Sequence, residues 1–251
     1  MKIAATDYDG TLCPIGESIP EENIQAIKAW QAAGNKFGIA TGRGLSLIRE
    51  AVEKYEDLKL DFLVCNNGAV SLDAQGNMMH CQPIAPEVLR GLFGMEVVQD
   101  ERYSLLVFTA HEVYSIRPNP LIPLELIPPI SVEGALQLSD VVQISMKFTT
   151  PEEAQQVSED IQAKYPTLGG NINRSYLDIN YVESDKGWGL QKMLDSGDWK
   201  GKELLVIGDD KNDLPMIERF HGFTVATAKP FMQEAAAKVY DTVGAMLLDN
   251  M

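Results

Sequence analysis

The stretch Ile3–Leu12, "IAATDYDGTL", ends a short apolar run in two carboxylates, Asp7 and Asp9, followed by Gly10 and Thr11. Its apolar half reads as a buried strand over residues 2–7, and Asp9-Gly10 is a turn signal. Like charges held together repel, so two acids at one strand end call for a chemical reason. A lone Asp-x-Asp is compatible with a solvated turn. The reading therefore depends on what the rest of the chain places at corresponding positions.

Downstream, "IPEENIQAIKAWQAAGN" (19–35) has helix-start signals at Pro20, Glu21 and Glu22 and a stop at Gly34. Ile24, Ile27, Trp30 and Ala33 recur every three residues and predict one apolar face. "KFGIATGR" (36–43) predicts a second strand, followed by a helix with Leu45, Ile48, Val52 and Tyr55 inward. "LDFLVCNNGA" (60–69) predicts a third strand ending at Asn66-Asn67-Gly68. Alternating strands and helices mark a parallel α/β sheet. Ligands of such sheets bind outside the carboxyl ends of the strands, where all three polar clusters fall.

The rhythm then changes. Residues 70–81 predict a β-hairpin turning near Asp73, Gly76 and Asn77. From about Pro83 to Val182 the order is helix, strand pair, proline-rich segment, strand, helix, strand pair. "TPEEAQQVSEDIQAKY" (150–165) starts with Thr150 as N-cap, Pro151 first and Glu153 completing a capping box. A stretch of about 100 residues is too long for a loop in a compact domain, so it reads as an inserted α+β unit. The fold class expected is α/β, a Rossmann-like parallel-sheet core (1–82 and 184–251) with an inserted α+β cap (83–183). After Lys186 come a helix through Trp188, Leu190 and Leu194, the strand "ELLVIGDDKND" (203–213), a helix over 214–220, the strand "FTVAT" and a closing helical segment. Five prolines in residues 117–130 forbid a regular helix there. That segment reads as an extended lid edge or partner surface, or as an ordinary packed loop.

Composition limits the function classes. A net charge of −15 argues against a nucleic-acid footprint and requires a local positive trap for any anionic substrate. Every apolar segment is interrupted well short of a membrane span, and no signal peptide precedes Asp7. Cys13, Cys65 and Cys81 are odd in number and unpaired in pattern, and the three histidines give no zinc spacing. These features point to a reduced, cytoplasmic protein.

Four clusters acquire meaning together: Asp7 and Asp9, Thr41, Lys186, and Asp209 with Asn212 and Asp213. The acids would supply oxygen ligands for Mg2+, a hard cation that would also reduce their repulsion. Thr41 offers a hydroxyl, Gly42 a backbone N–H and Lys186 a point charge to a phosphoryl group.

At this point the chain resembles the haloacid dehalogenase (HAD) superfamily of phosphatases. "DYDGT" (7–11), "ATGR" (40–43), "SDKG" (184–187) and "GDDKND" (208–213) match its four motifs in order. "NNGA" (66–69) and an insertion after the third strand are similar to the Cof-like subfamily IIB with a C2-type cap. The resemblance implies Asp7 as nucleophile and Asp9 as general acid and base, with Asp9 also coordinating metal through its backbone carbonyl. It implies Thr41 and Lys186 as stabilisers of the transferring phosphoryl. Asp209 would bind Mg2+ and Asp213 would orient a metal-bound water or Lys186. Gly42, Arg43, Asn67, Gly68 and Asn212 would line the phosphate pocket.

The expected activity is hydrolysis of a small phosphorylated metabolite, such as a sugar phosphate, with no nucleic-acid or membrane partner. A sugar phosphomutase and a non-catalytic phosphate-binding protein stay open. Lys147, Arg174, Arg117 and His111 are the candidate polar contacts of the cap. Three features depart from the family pattern: "TVATAKP" (224–230) lacks the usual Gly-Asn pair, Asp185 adds a charge that either pairs with Lys186 or faces solvent, and the proline-rich segment 117–130 departs from a more regular cap.

Overall fold

Fully buried apolar runs form the strands at the centre of the first unit. A computed structural model of the chain describes residues 1–119, 127–196 and 198–251. The first unit comprises Met1–Gly42, Glu50–His80 and Asp185–Met251, and the second comprises Arg43–Arg49 and Cys81–Ser184.

Strands β1 (Ile3–Thr6), β2 (Lys36–Ala40), β3 (Phe62–Cys65), β4 (Val70–Asp73), β5 (Met78–Cys81), β11 (Leu204–Gly208), β12 (Phe223–Val225) and β13 (Lys238–Tyr240) make one sheet. Its order is β13-β12-β11-β1-β2-β3-β4-β5. The first six pair in parallel, and β3 with β4 is antiparallel. Strand β1 lies between β2 and β11 with all four residues buried, as its unbroken apolar run requires. The expected hairpin is β4–β5. Asp73 fixes its turn by accepting from the amides of Gln75 (2.9 Å) and Asn77 (2.8 Å).

Helix α1 (Glu21–Ala32) starts after Pro20 and buries Ile24, Ile27 and Trp30, while Ala33 is its exposed C-cap. Helix α2 (Leu45–Glu53) buries Leu45 and Ile48. Helices α7 (Lys186–Asp195) and α8 (Leu214–Phe220) fall where the periodicity predicted. The closing segment is α9 (Pro230–Ala235), β13 and α10 (Val243–Asp249), so the purely helical ending predicted for it was incomplete. A three-residue edge strand is too short to show a period.

The second unit is a five-stranded antiparallel sheet, order β7-β6-β8-β10-β9, built from β6 (Ser104–Thr109), β7 (Val113–Arg117), β8 (Val141–Lys147), β9 (Leu168–Asn173) and β10 (Tyr176–Tyr181). Its helices are α3 (Pro86–Phe93), α4 (Glu96–Gln99), α5 (Val132–Ala135) and α6 (Pro151–Lys164). Alternate residues Leu105, Val107, Ile144, Met146, Leu177 and Ile179 pack with Leu89, Leu92, Val157 and Ile161 in one core. The alternation puts Ser145, Lys147, Tyr176 and Asp178 on the opposite face. Thr150 caps α6 as predicted. Glu153 reaches the amide of Thr149 (3.1 Å) and the Tyr103 hydroxyl, so the capping box is displaced by one residue. Most of the proline-rich segment lies outside the described residues. At its edges Pro129 bridges Ser115, and Arg117 donates to the carbonyls of Tyr103 and Val98. Among the described residues no helix is long and apolar enough to cross a membrane.

Candidate active site

Parallel pairing aligns the carboxyl ends of β1, β2, β3 and β11, and each ends in residues singled out in the sequence. Asp7 directly follows β1, Thr41 follows β2, Asn66–Gly68 form a short 3-10 turn after β3, and Asp209 follows β11.

Lys186 is the first residue of α7 and is 1% exposed. Its Nζ donates to Asp7 Oδ1 at 2.6 Å and to Asp213 Oδ1 at 2.5 Å. Asp213 Oδ2 accepts from the amides of Asp209 (2.9 Å) and Asp210 (3.1 Å). Both oxygens of Asp213 are thus engaged, one orienting Lys186 and the other shaping its own loop. Asp209 Oδ1 accepts from the Thr11 hydroxyl at 2.7 Å. Oxygens of Asp7, Asp209 and Asp213 lie within 4.8 Å of one another, a grouping that could hold a metal ion.

The electrostatics follow from burial. One ammonium faces three carboxyl groups, which with all three ionised leaves two negative charges in excess. Burial pushes the Asp7 carboxyl well above its ordinary range, with Asp213 and Asp209 adding to the shift and Lys186 opposing it. Burial likewise raises Asp209 to about 6, against the Thr11 hydrogen bond and with the help of Asp213. Burial pulls the Lys186 ammonium down, but Asp213 and Asp7 more than offset it and raise it above its ordinary value. The donors are hard oxygens and the surplus is two charges, so the residues fit a hard divalent cation.

Glycines make room for this convergence. At Gly10, with φ +93°, a Cβ would lie 2.6 Å from Asp209 Oδ2, and at Gly208 it would lie 2.4 Å from Asp213 Cγ. Gly68, φ +96°, lets α7 approach: a Cβ there would meet the Asp185 carbonyl at 2.0 Å. The visible work of Gly68 is therefore to seat the lysine helix. Asn66 and Asn67 also take left-handed conformations. Asn67 donates its amide to the Thr41 carbonyl (3.1 Å), and its Oδ1 accepts from Asn212 Nδ2 at 3.4 Å. This joins the ends of β2, β3 and β11. Gly42 approaches Asn67 closely enough that a Cβ would sit 3.0 Å from its Oδ1.

The structure leaves other expected residues elsewhere. The Asp9 side chain is exposed and outside the three-carboxylate group, with its backbone bridging to Cys13. Arg43 is half-buried in the turn before α2. Asp185 neither pairs with Lys186 nor simply faces solvent. It is the N-cap of α7 and accepts from the Trp188 amide at 2.7 Å. Among the cap candidates, Arg117 serves backbone carbonyls, and His111 and Arg174 are exposed near strand turns. Lys147 is half-buried, its Nζ 5.9 Å from the Tyr176 ring centroid.

Sequence reasoning missed the contacts of Thr11, the packing of Gly10 and Gly208, and the pairing of Lys229 with Asp210 (2.7 and 2.9 Å). Only the Asp185 cap had a readable signal, an acid directly before an apolar-periodic run.

Comparison with known proteins agrees with this geometry. A family profile described as haloacid dehalogenase-like hydrolase matches residues 4–244. The chain is 22% identical over 246 residues to the 5-amino-6-(5-phospho-D-ribitylamino)uracil phosphatase YcsE of Bacillus subtilis, covering 96% of this chain and 90% of that protein. Its fold is similar to that of the HAD subclass IIB sugar phosphatase BT4131, with a TM-score of 0.82, 23% identity and coverage of 99% and 97%. A haloacid dehalogenase-like hydrolase from B. subtilis superposes with a TM-score of 0.85 at 20% identity over the full length of both chains. The chain belongs to the haloacid dehalogenase-like hydrolase family, and YcsE and BT4131, to which it is similar, are named as phosphatases.

Proposed function

We propose that this HAD-family enzyme is a Mg2+-dependent phosphomonoesterase acting through an aspartyl-phosphate on Asp7, with a small phosphorylated metabolite of the sugar-phosphate class as substrate. The observation that carries this reading is the buried charge imbalance: Lys186 against Asp7, Asp209 and Asp213, assembled from separate strand and helix ends. A stability-driven site would be neutral, because uncompensated buried charge is costly. Two surplus negative charges suit a site completed by a cation and a phosphoryl group.

Asp7 and Asp209, with the Asp9 backbone carbonyl, would hold the metal, and Asp213 would orient its surroundings. When bound, the metal supplies positive charge against the phosphoryl oxygens. Asp7 attacks phosphorus while Asp9 gives a proton to the leaving oxygen, so that bond breaks without releasing an alkoxide. Asp9, exposed to solvent, then takes a proton from the water that attacks the phosphoenzyme, which frees phosphate and restores Asp7. Lys186 and the Thr41 hydroxyl stabilise charge on the transferring group. Asn67, Gly42, Gly68, Arg43 and Asn212 border the phosphate. The sugar-like class is supported by the ribityl and sugar substrates in the names of the similar phosphatases. The core (1–82, 184–251) carries the chemistry, and the inserted unit (83–183) acts as its cap. Three free cysteines suit a cytoplasmic setting.

The test is phosphate release from sugar phosphates, nucleotides, phosphoglycolate and pyridoxal phosphate, with Mg2+, with EDTA, and for Asp7→Asn. Mg2+-dependent release that Asp7→Asn abolishes is the expected result. An isomerised sugar phosphate in place of free phosphate would identify a mutase. A folded, Mg2+-binding protein inert on every compound would leave the phosphate-binding alternative.

A further inference from the structure

The segment that departs most from the family pattern, "TVATAKP", contacts the acid-rich loop. Thr224 Oγ1 donates to the Gly208 carbonyl at 2.7 Å and ties β12 to the end of β11. The next residues are themselves pinned, because Gln233 Nε2 donates to the carbonyls of Ala226 (3.0 Å) and Ala228 (3.0 Å). From this braced turn the Lys229 Nζ reaches both carboxylate oxygens of Asp210. Asp210 is the N-cap of the short turn Lys211–Asp213 and accepts from the Lys211 amide at 2.7 Å, while the Asp210 amide donates to Asp213 Oδ2. A continuous chain of contacts thus runs from Lys229 through Asp210 to Asp213 and Lys186.

We propose that Lys229 is a positioning residue of this site. It anchors the Asp209–Asp213 loop from behind, so that Asp209 and Asp213 stay converged with Asp7 when no cation is bound. It also neutralises Asp210, the one acid of the loop outside the three-carboxylate group, and so offsets part of the local repulsion that would spread the loop. Lys229 is exposed, but its Nζ meets both oxygens of a carboxylate that also accepts from the Lys211 amide, so the pair is tied into the loop as an isolated surface ion pair is not. In its metal-holding role the inference rests on the phosphatase reading. The loop-ordering role does not.

The test uses the full chain as wild type, Lys229→Met and Lys229→Arg, with Mg2+ alone as the probe. In metal-free protein, Lys229→Met should speed hydrogen exchange at the amides of residues 209–214 and leave those of β1 unchanged. By calorimetric titration its Mg2+ affinity should fall about tenfold, the lower end of what supporting residues around metal sites contribute. Lys229→Arg, which keeps the charge and can donate to both carboxylate oxygens, should restore both. Unchanged exchange and affinity in Lys229→Met would overturn the proposal. Tighter Mg2+ binding would overturn it as well, because it would show that the lysine acts only as a repelling charge. Exchange needs no turnover, so a protein inactive on every phosphoester would defeat the phosphatase reading while leaving this inference to be decided on its own data.

Discussion

Both ends of the core sheet carry a lysine–aspartate pair, and the two pairs differ in kind. At the amino end Lys36 meets Asp61 at 2.8 Å, with side-chain exposures of 37% and 17%. Asp61 also accepts from Gln31 Nε2 (2.8 Å) and the Phe37 amide (3.0 Å), so one cation balances one satisfied anion. At the carboxyl end Lys186 is buried between Asp7 and Asp213, with Asp209 adjoining. An open cleft of about 580 Å³ borders the amino-end pair, lined by Gln31, Lys36 and Asp61 among others. Its concavity makes that cleft a candidate site. Charge balance points instead to the carboxyl end, because a neutral, saturated pair has nothing left to offer a ligand whereas excess buried charge demands one.

Replacing each lysine should separate the two pairs most widely. Lys186→Met leaves Asp7 and Asp213 without their partner and should cost about 3–5 kcal/mol of stability, with phosphate release down about 10³-fold. Lys36→Met should cost about 1 kcal/mol or less and leave turnover intact. Denaturant titration with a phosphate assay checks both, and equal effects would erase the distinction. Glycines sharpen it next. Gly208→Ala drives a Cβ to 2.4 Å from Asp213, so it should destabilise by about 1–3 kcal/mol and slow turnover about tenfold or more. Gly34→Ala, beside the amino-end cleft with nothing within 4 Å, should show only the strain of its φ of +84°, about 1 kcal/mol, with full activity.

The pH dependence of metal-free protein is the third contrast. Burial raises Asp209 to about 6, so the folded state holds that proton more tightly than the unfolded chain does. Its stability contribution is complete below the unfolded carboxylate value and is lost as pH rises through about 6. Asp209→Asn should therefore raise the melting temperature of EDTA-treated protein relative to wild type at pH about 7 but not at about 4. Mg2+ should stabilise wild type at the higher pH, with affinity falling below pH about 6 as protons compete. The smallest effect should come from Thr11→Val. Loss of its hydrogen bond to Asp209 should raise that carboxyl further and weaken Mg2+ binding about twofold to tenfold.

Much of this difference was legible before any coordinates. Asp7, Thr41, Lys186 and Asp209 stand where apolar runs stop or helices start, and a parallel sheet brings strand ends together. The inserted unit announced itself through length and a change of rhythm. What escaped was whatever depends on distance between segments far apart in sequence. Nothing in "DYDGT" says that Gly10 lies under Asp209, and nothing in "TVATAKP" says that Lys229 closes on Asp210. Asp185 shows the opposite error. Adjacency to Lys186 suggested an ion pair or a solvent-facing charge, but successive side chains on a helix diverge, and the cap geometry turns the carboxylate onto the Trp188 amide. Strand β13 was missed because three residues directly after the alanine run 235–237 carry no pattern of their own.

The central claim is that Asp7 becomes phosphorylated. The most direct measurement is acid quenching of Asp9→Asn, which should lack both the acid of the first step and the base of the second, after brief reaction with a radiolabelled aryl phosphate whose leaving group needs no protonation, followed by peptide mapping. The account predicts label retained on the peptide containing Asp7 and absent from the Asp7→Asn, Asp9→Asn double variant. Release of phosphate by the wild type with no label on the protein at any quench time, or label on a different residue, would contradict it.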